Sequence, residues 1–216
     1  MSKPLLVLGN KRYSSWSLRG YLALKFAGLD FEQTVIPLFQ EDTHARMKAL
    51  GPNAPARVPM LIQGDHVVWD TTSLMEFAAE NSKLGDLWPT DMFERAHARS
   101  ICAEMHSGFV ALREHIPMNL SRKDPYEDQP EDVRTDIDRI LEVWTDCRKK
   151  YKESGPYLFG KLSMADAAFA PVVARFKSRS IPVDDISKAY MESIWALPAF
   201  AEWREDASNE KWIIDQ

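Results

Sequence analysis

Cysteine is nearly absent from this chain. Only Cys102 and Cys147 occur in 216 residues, both in helix-like stretches, and no C-x-x-C pair exists. That excludes a disulfide scaffold, a four-cysteine zinc site and a dithiol redox motif, and the two thiols read as buried side chains in a reducing compartment. Charge of one sign is missing as well. Twenty-seven basic residues against thirty-two acidic ones leave a net −5, too balanced for a nucleic-acid groove or a polybasic membrane patch. No apolar run approaches the roughly 20 residues that span a bilayer, and residues 1–9 lack the charged and apolar regions of a secretory leader. Histidine is sparse, and His97, His106 and His115 are spaced by nine, so they do not share a helix face at ligand distance and no metal is expected. No internal repeat or low-complexity segment is present. The expectation is a cytoplasmic chain with enough material for one large domain or two small ones.

What is present begins with a cluster of hydroxyls. Ser14, Ser15 and Ser17 follow the apolar run at residues 5–8 and precede an amphipathic run in which Leu18, Leu22 and Phe26 recur every four residues. That pattern reads as strand, turn and helix, with Gly28 as the stop. A helix start gathers unpaired N–H groups and the positive end of the helix dipole, so it suits an anion, a thiolate included. Serines ahead of a helix also serve simply as caps, and both readings stand.

Further on, residues 31–38 read as a second strand and residues 45–50 as a short helix. A loop at 51–57 precedes a strand at 58–62, and Gly64-Asp65 turns a hairpin into residues 66–69. Asp70 and Thr71 then open a helix carrying Leu74, Met75, Phe77 and Ala78. The order β-α-β-α-β-β-α predicts a compact α/β unit over residues 1–83. A polar linker follows at 84–91, and 92–216 reads as helical throughout. One stripe there is Ile101, Met105, Phe109, Leu112 and Ile116, ended by Pro117. A second is Val133, Ile137, Leu141, Trp144 and Tyr151, and the charged segment between the two reads as an exposed loop. A third helix starts at Ser163 with a reciprocal cap from Asp166, and Pro171 should kink it. Pro198, Phe200 and Trp203 mark a last short helix.

Taken in order, Ser14-Ser15-Trp16-Ser17-Leu18-Arg19, Val58-Pro59, Gly64-Asp65, Asp70-Thr71 and Gly160-Lys161-Leu162-Ser163-Met164-Ala165-Asp166 resemble the cytosolic glutathione S-transferase family along nearly the whole chain. The Ser-Ser-x-Ser spacing is most similar to the zeta class, whose members include maleylacetoacetate isomerases. The resemblance implies an α/β thioredoxin-like N-terminal domain, an all-α C-terminal domain, glutathione as co-substrate and a homodimer. It implies that Ser14 donates a hydrogen bond to the glutathione thiolate, assisted by Ser15 and Ser17. It implies a cis Val58-Pro59 bond that leaves the Val58 peptide free for the ligand's cysteinyl amide, and an Asp70-Thr71 pair that holds the γ-glutamyl end. Arg57 and His44 are candidates for the glycyl carboxylate. The small electrophilic co-substrate would lie between the domains, near Trp16, Met105, His106, Phe109, Arg113, Arg175 and Phe176. Trp16 departs from the zeta pattern, where cysteine is common, so an enzyme thiol is not available for thiol transfer. Threonine at 71 and aspartate at 70 depart from the usual Glu-Ser pair, and the loop at 51–57 is longer than the zeta loop.

The energetics are within reach of these groups. A free thiol with pKa near about 8.5 is roughly 3% thiolate at pH 7, and lowering it by two units takes about 2.7 kcal/mol. One charge-assisted hydrogen bond of about 1.5–3 kcal/mol plus a helix N-terminus meets that. Conjugation of an electrophile is the leading expectation. A glutathione-dependent isomerase of a maleyl-like diacid and a non-catalytic binding module are the alternatives.

Overall fold

The computed structural model describes residues 3–51 and 53–214. Pro52, in the expected loop at 51–57, and Met1 and Ser2, in the segment read for a leader, lie outside the described residues. The chain runs β1 (Leu5–Leu8), α1 (Ser15–Phe26), β2 (Glu32–Val35), α2 (Thr43–Lys48), β3 (Met60–Gln63), β4 (His66–Trp69) and α3 (Thr71–Glu80). Among the described residues six α-helices follow, with a short 3-10 turn (Lys152–Ser154) after the third: α4 (Met92–Ser107), α5 (Val110–His115), α6 (Glu131–Tyr151), α7 (Met164–Ser178), α8 (Asp185–Trp195) and α9 (Pro198–Ser208). This is an N-terminal mixed β/α domain joined to an all-α domain.

The sheet has the order β2-β1-β3-β4, with β1 parallel to β2 and antiparallel to β3, and β3 antiparallel to β4. Alternation along β1 divides the core. Leu6 and Leu8 face α1 and α3, packing with Leu18, Tyr21, Leu22 and Leu74, while Val7 faces the other way with Ile36, Met47 and Met60. Helix α1 also packs on α7, which is buried along nearly its whole length. At the centre of the helical domain Trp144 meets Phe169, Phe176 and Tyr190.

Several expectations need correction. The stripe from Ile101 to Ile116 is two helices. Gly108 ends α4, its N–H donating to Glu104 C=O at 2.8 Å, and Phe109 takes a left-handed φ of 57° before α5 begins. Met105, Phe109 and Arg113 therefore do not share one helix. Phe109 keeps its core position across the break, which is why the periodicity runs on unbroken. Helix α8 was not anticipated, although Ile186, Tyr190, Met191 and Ile194 recur at helical spacing and Asp184 caps Ile186 and Ser187. The second strand stops at Val35, short of Pro37, and the third begins at Met60. As expected, Pro171 lies inside a helix, α7, which runs on to Ser178. The Asp166 carboxylate accepts from the Ser163 N–H (2.8 Å), the Ser163 hydroxyl (2.9 Å) and the Leu158 N–H (3.1 Å). Burial outweighs these bonds and pushes the Asp166 carboxyl up to about 6.

Candidate functional site

Ser14 is the N-cap of α1. Its Oγ accepts the Ser17 N–H at 3.2 Å and donates to Ser17 Oγ at 2.9 Å, and Ser17 Oγ accepts the Gly9 N–H at 2.8 Å. The cap reading is therefore realised at Ser14, while Ser15 and Ser17 lie in the first turn of α1. Ser14, Ser15 and Ser17 are all buried; Trp16 is the residue of this turn that reaches the surface of a cavity.

That cavity, about 840 Å³, lies against the helix starts of α1 and α3. Of the residues expected in the site it brings together Trp16, His44, Arg57, Val58, Pro59, Asp70, Thr71 and His106. The Val58-Pro59 peptide is cis. Val58 stands just ahead of β3, and its N–H and C=O have no backbone partner among the described residues, leaving strand-like donors and acceptors beside the cavity. Asp70 caps α3 at φ 70°, an uncommon conformation for a non-glycine residue. Its Oδ1 accepts the Thr72 N–H at 2.8 Å. From α4, His106 reaches this helix start: Nδ1 lies 3.2 Å from Thr72 Oγ1 and 3.5 Å from Thr71 Oγ1, and Nε2 lies 3.5 Å from Asp70 Oδ2. Its ring also meets Trp16 edge-on at 5.0 Å. The expected residues did not include Leu38, Phe39, Gln40 or Trp69, which are among the other residues of the lining. Phe39 and Trp69 are exposed aromatics at 79% and 49%, a cost in water that composition alone does not reveal.

The remaining candidates lie elsewhere. Met105 and Phe109 are core side chains; they do not line the cavity. Arg113 donates from Nε to Gly108 C=O at 3.0 Å and from Nη2 to Met105 C=O. Buried Arg175 donates to Ile116 C=O, and its Nη2 lies 3.4 Å from Ser15 Oγ. Arg19, unanticipated, is 2% exposed. Its Nε donates to Ala168 C=O at 2.8 Å, while Nη1 and Nη2 have no partner among the described residues. The guanidinium carbons of Arg19 and Arg113 each lie 4.9 Å from the Trp16 ring centre. Desolvation, then the neighbouring guanidiniums, holds Arg19 well below the ordinary arginine range, and the same causes bring Arg175 down to about 10. Burial raises both cysteine thiols, so neither is a ready nucleophile. Among the described residues no group of three or more His, Cys, Asp or Glu side chains could hold a metal ion, and no helix is long and apolar enough to cross a membrane.

Against known families, residues 13–81 match the glutathione S-transferase N-terminal domain and residues 95–206 match the glutathione S-transferase C-terminal domain. The chain belongs to the glutathione S-transferase family. Similar relatives include glutathione S-transferase Z1 of Arabidopsis thaliana, 25% identical over 88% of this chain and 89% of that one. Glutathione S-transferase 1 of Dianthus caryophyllus is 34% identical over 83 residues, and that match spans 37% of the relative's length. A glutathione transferase homolog from Burkholderia, solved with bound glutathione, superposes with a TM-score of 0.72 at 21% identity, covering 97% of this chain and 100% of that one. Within the family no class is singled out. Structures of tau, omega, epsilon and zeta members superpose about equally well, with TM-scores of 0.66, 0.67, 0.71 and 0.68. The zeta likeness of the serine motif therefore does not assign this glutathione S-transferase to a class.

Proposed function

We propose that the chain is a serine-type glutathione transferase: the 840 Å³ cavity holds glutathione, and Ser14 stabilises its thiolate for attack on a small electrophile. The observation that carries the reading is the convergence on one cavity of the Val58 peptide, which has no backbone partner among the described residues, and the start of α3 at Asp70 and Thr71, with Trp16 bringing the start of α1 to the same wall. An extended cysteinyl segment would pair with Val58, the γ-glutamyl carboxylate would take the Thr71 hydroxyl and helix N-terminus, and its ammonium would take Asp70. Arg57 and His44, which line the same cavity, would take the glycyl carboxylate. The sulfur then sits at the α1 start, deeper than Trp16.

In that position Ser14 need not lose its cap. A hydroxyl rotates freely, so Ser17 can donate to Ser14 Oγ in place of the reverse bond, which releases the Ser14 proton toward sulfur. Glutathione should raise the melting temperature of the wild-type protein. The thiol of the bound tripeptide, followed by ultraviolet absorbance, should ionise about one to two units higher in Ser14→Ala. Absence of any thermal shift refutes the binding site, and an unchanged titration in Ser14→Ala refutes the role of this hydroxyl.

A second reading, a glutathione-dependent isomerase of a maleyl-like diacid, is favoured by one specific feature: Arg19, Arg113 and Arg175 gather beside the serine turn without a carboxylate partner among the described residues. Guanidinium groups recognise carboxylates. A dicarboxylate inhibitor that binds the glutathione-loaded protein no better than its neutral diamide would dismiss that reading. A thiol whose ionisation is unchanged on binding would instead mark a non-catalytic module.

A further inference from the structure

The turn ahead of Ser14 is held from the far end of the chain. Glu210, two residues beyond α9, accepts the Lys11 N–H on Oε1 at 2.8 Å and the Arg12 N–H on Oε2 at 3.1 Å. Arg12 answers with its guanidinium, donating to Ala207 C=O at 3.2 and 3.3 Å and to Glu210 C=O at 2.9 Å. Trp203 Nε1 donates to Lys11 C=O at 2.9 Å. The same turn is closed internally by Asn10 C=O, which accepts from Tyr13 N–H at 3.1 Å and Ser14 N–H at 2.8 Å. Two successive backbone N–H groups gripped by one carboxylate form a small anion nest filled by the protein itself.

We infer that Glu210 is a positioning residue for the transferase site: its bidentate grip on Lys11 and Arg12 sets the turn that aims the Ser14 hydroxyl. The inference rests on the reading of Ser14 given above. The grip acts on residues 11 and 12, the last two of the turn before Tyr13 and the cap, and neither N–H has another acceptor among the described residues. Released, both N–H groups lose their only acceptor among the described residues, which loosens the turn that Asn10 C=O closes onto Ser14. A carboxylate one methylene shorter does not span both donors, whereas an amide keeps the length and one acceptor oxygen.

Glu210→Ala, Glu210→Asp and Glu210→Gln are compared with the wild type and with Ser14→Ala. Two readouts are used: amide hydrogen exchange, and the pH midpoint of the bound glutathione thiol. In Glu210→Ala and Glu210→Asp, exchange at Ser14 and Ser17 should quicken by about tenfold or more while α6 and α7 amides keep their protection. The thiol midpoint should rise by about half a unit or more, with Glu210→Gln between these variants and the wild type. Unchanged exchange at Ser14 and Ser17 overturns the inference. Quickened exchange with an unmoved midpoint also overturns it, because Glu210 is then only a staple, provided Ser14→Ala moves the midpoint. If Ser14→Ala leaves the midpoint in place, the Ser14 reading fails by itself, and the exchange data still decide whether Glu210 sets the turn. Should Glu210→Ala not fold, the aspartate and glutamine variants carry the same comparison.

Discussion

Lys11 and a group of three arginines flank the Ser14 turn, and the protein treats them differently. Ahead of it Lys11, only 6% exposed at its side chain, is answered in full: it pairs with Asp206, donates to Gln33 Oε1 at 2.9 Å, and lies 5.1 and 5.4 Å from the rings of Trp203 and Tyr21. After it Arg19, Arg113 and Arg175 have carbonyl oxygens, the Ser15 hydroxyl and the Trp16 ring, with no carboxylate partner among the described residues. A buried cation with a counter-charge fastens two segments. Cations without a paired carboxylate, as with buried Arg19 and Arg175 and half-buried Arg113, which has Asp136 only at longer range, raise the local potential and make the region receptive to an anion. Lys11 ties α9 to the serine turn, and the three arginines are the groups that the proposed isomerase reading would use to neutralise a substrate carboxylate.

The largest expected effect comes from a third buried charge, one answered by donors rather than by a counter-ion. Asp166→Ala leaves the N–H groups of Ser163 and Leu158 buried without an acceptor and should lower stability by about 3–4 kcal/mol in denaturant titration. Its pH dependence has a definite sign. The folded value, about 6, lies above the ordinary 3.8, so the folded state binds the proton more tightly. The stabilisation from that proton is fully present below the unfolded value and is lost as pH rises through the folded one, on the order of 3 kcal/mol. Asp166→Asn should flatten stability across that window. An unchanged slope would show that the donors keep the carboxylate ionised throughout.

The comparison itself can be broken by paired substitutions. Lys11→Met removes the charge that Asp206 and Gln33 answer and should cost about 1–3 kcal/mol. Arg19→Met removes a buried charge with two unpartnered nitrogens and should cost nothing, or stabilise by about 1–2 kcal/mol. Small dicarboxylates should then raise the melting temperature of the wild type and of Lys11→Met, and do so less for Arg19→Met. Equal losses for the two methionine variants would erase the distinction between fastened and receptive cations.

The sequence makes the local parts of this site legible. Hydroxyls before an apolar helical run gave the α1 cap, Asp70-Thr71 gave the α3 start, and the β-α-β-α-β-β-α order followed from periodicity and turn residues. The break at Gly108 and Phe109 escaped because the left-handed Phe109 returns its ring to the core, so the apolar spacing is preserved across the interruption. Pairings over long separations were illegible for a different reason. Glu210 with Lys11 spans 199 positions, and the meeting of Arg19 with Arg113 over Trp16 depends on how α1, α4 and α5 are assembled. Arg19 is legible only as the last residue of the serine motif, with no role of its own, and Glu210 reads as an ordinary charge near the end of the chain.

The smallest expected effect sharpens the contrast from the residue beside Arg19. A Cβ on Gly20 would lie 2.8 Å from Pro59 Cγ and 3.2 Å from Leu74 Cδ1, so glycine sets how closely α1 approaches the cis peptide at the cavity wall. In Gly20→Ala the gain in helix propensity, close to 1 kcal/mol, opposes an overpacking cost of about 1–3 kcal/mol. A net loss near 1 kcal/mol is expected, with Pro59 and Val58 pushed away from α1. Glutathione should bind more weakly through that displacement. Amide protection at Lys11 and Arg12 should stay as in the wild type, because Glu210 and Trp203 hold that turn independently of Pro59. Loss of protection at Lys11 would mean that the fastened side and the receptive side move as one body, and that their different charge chemistry is not matched by a mechanical separation.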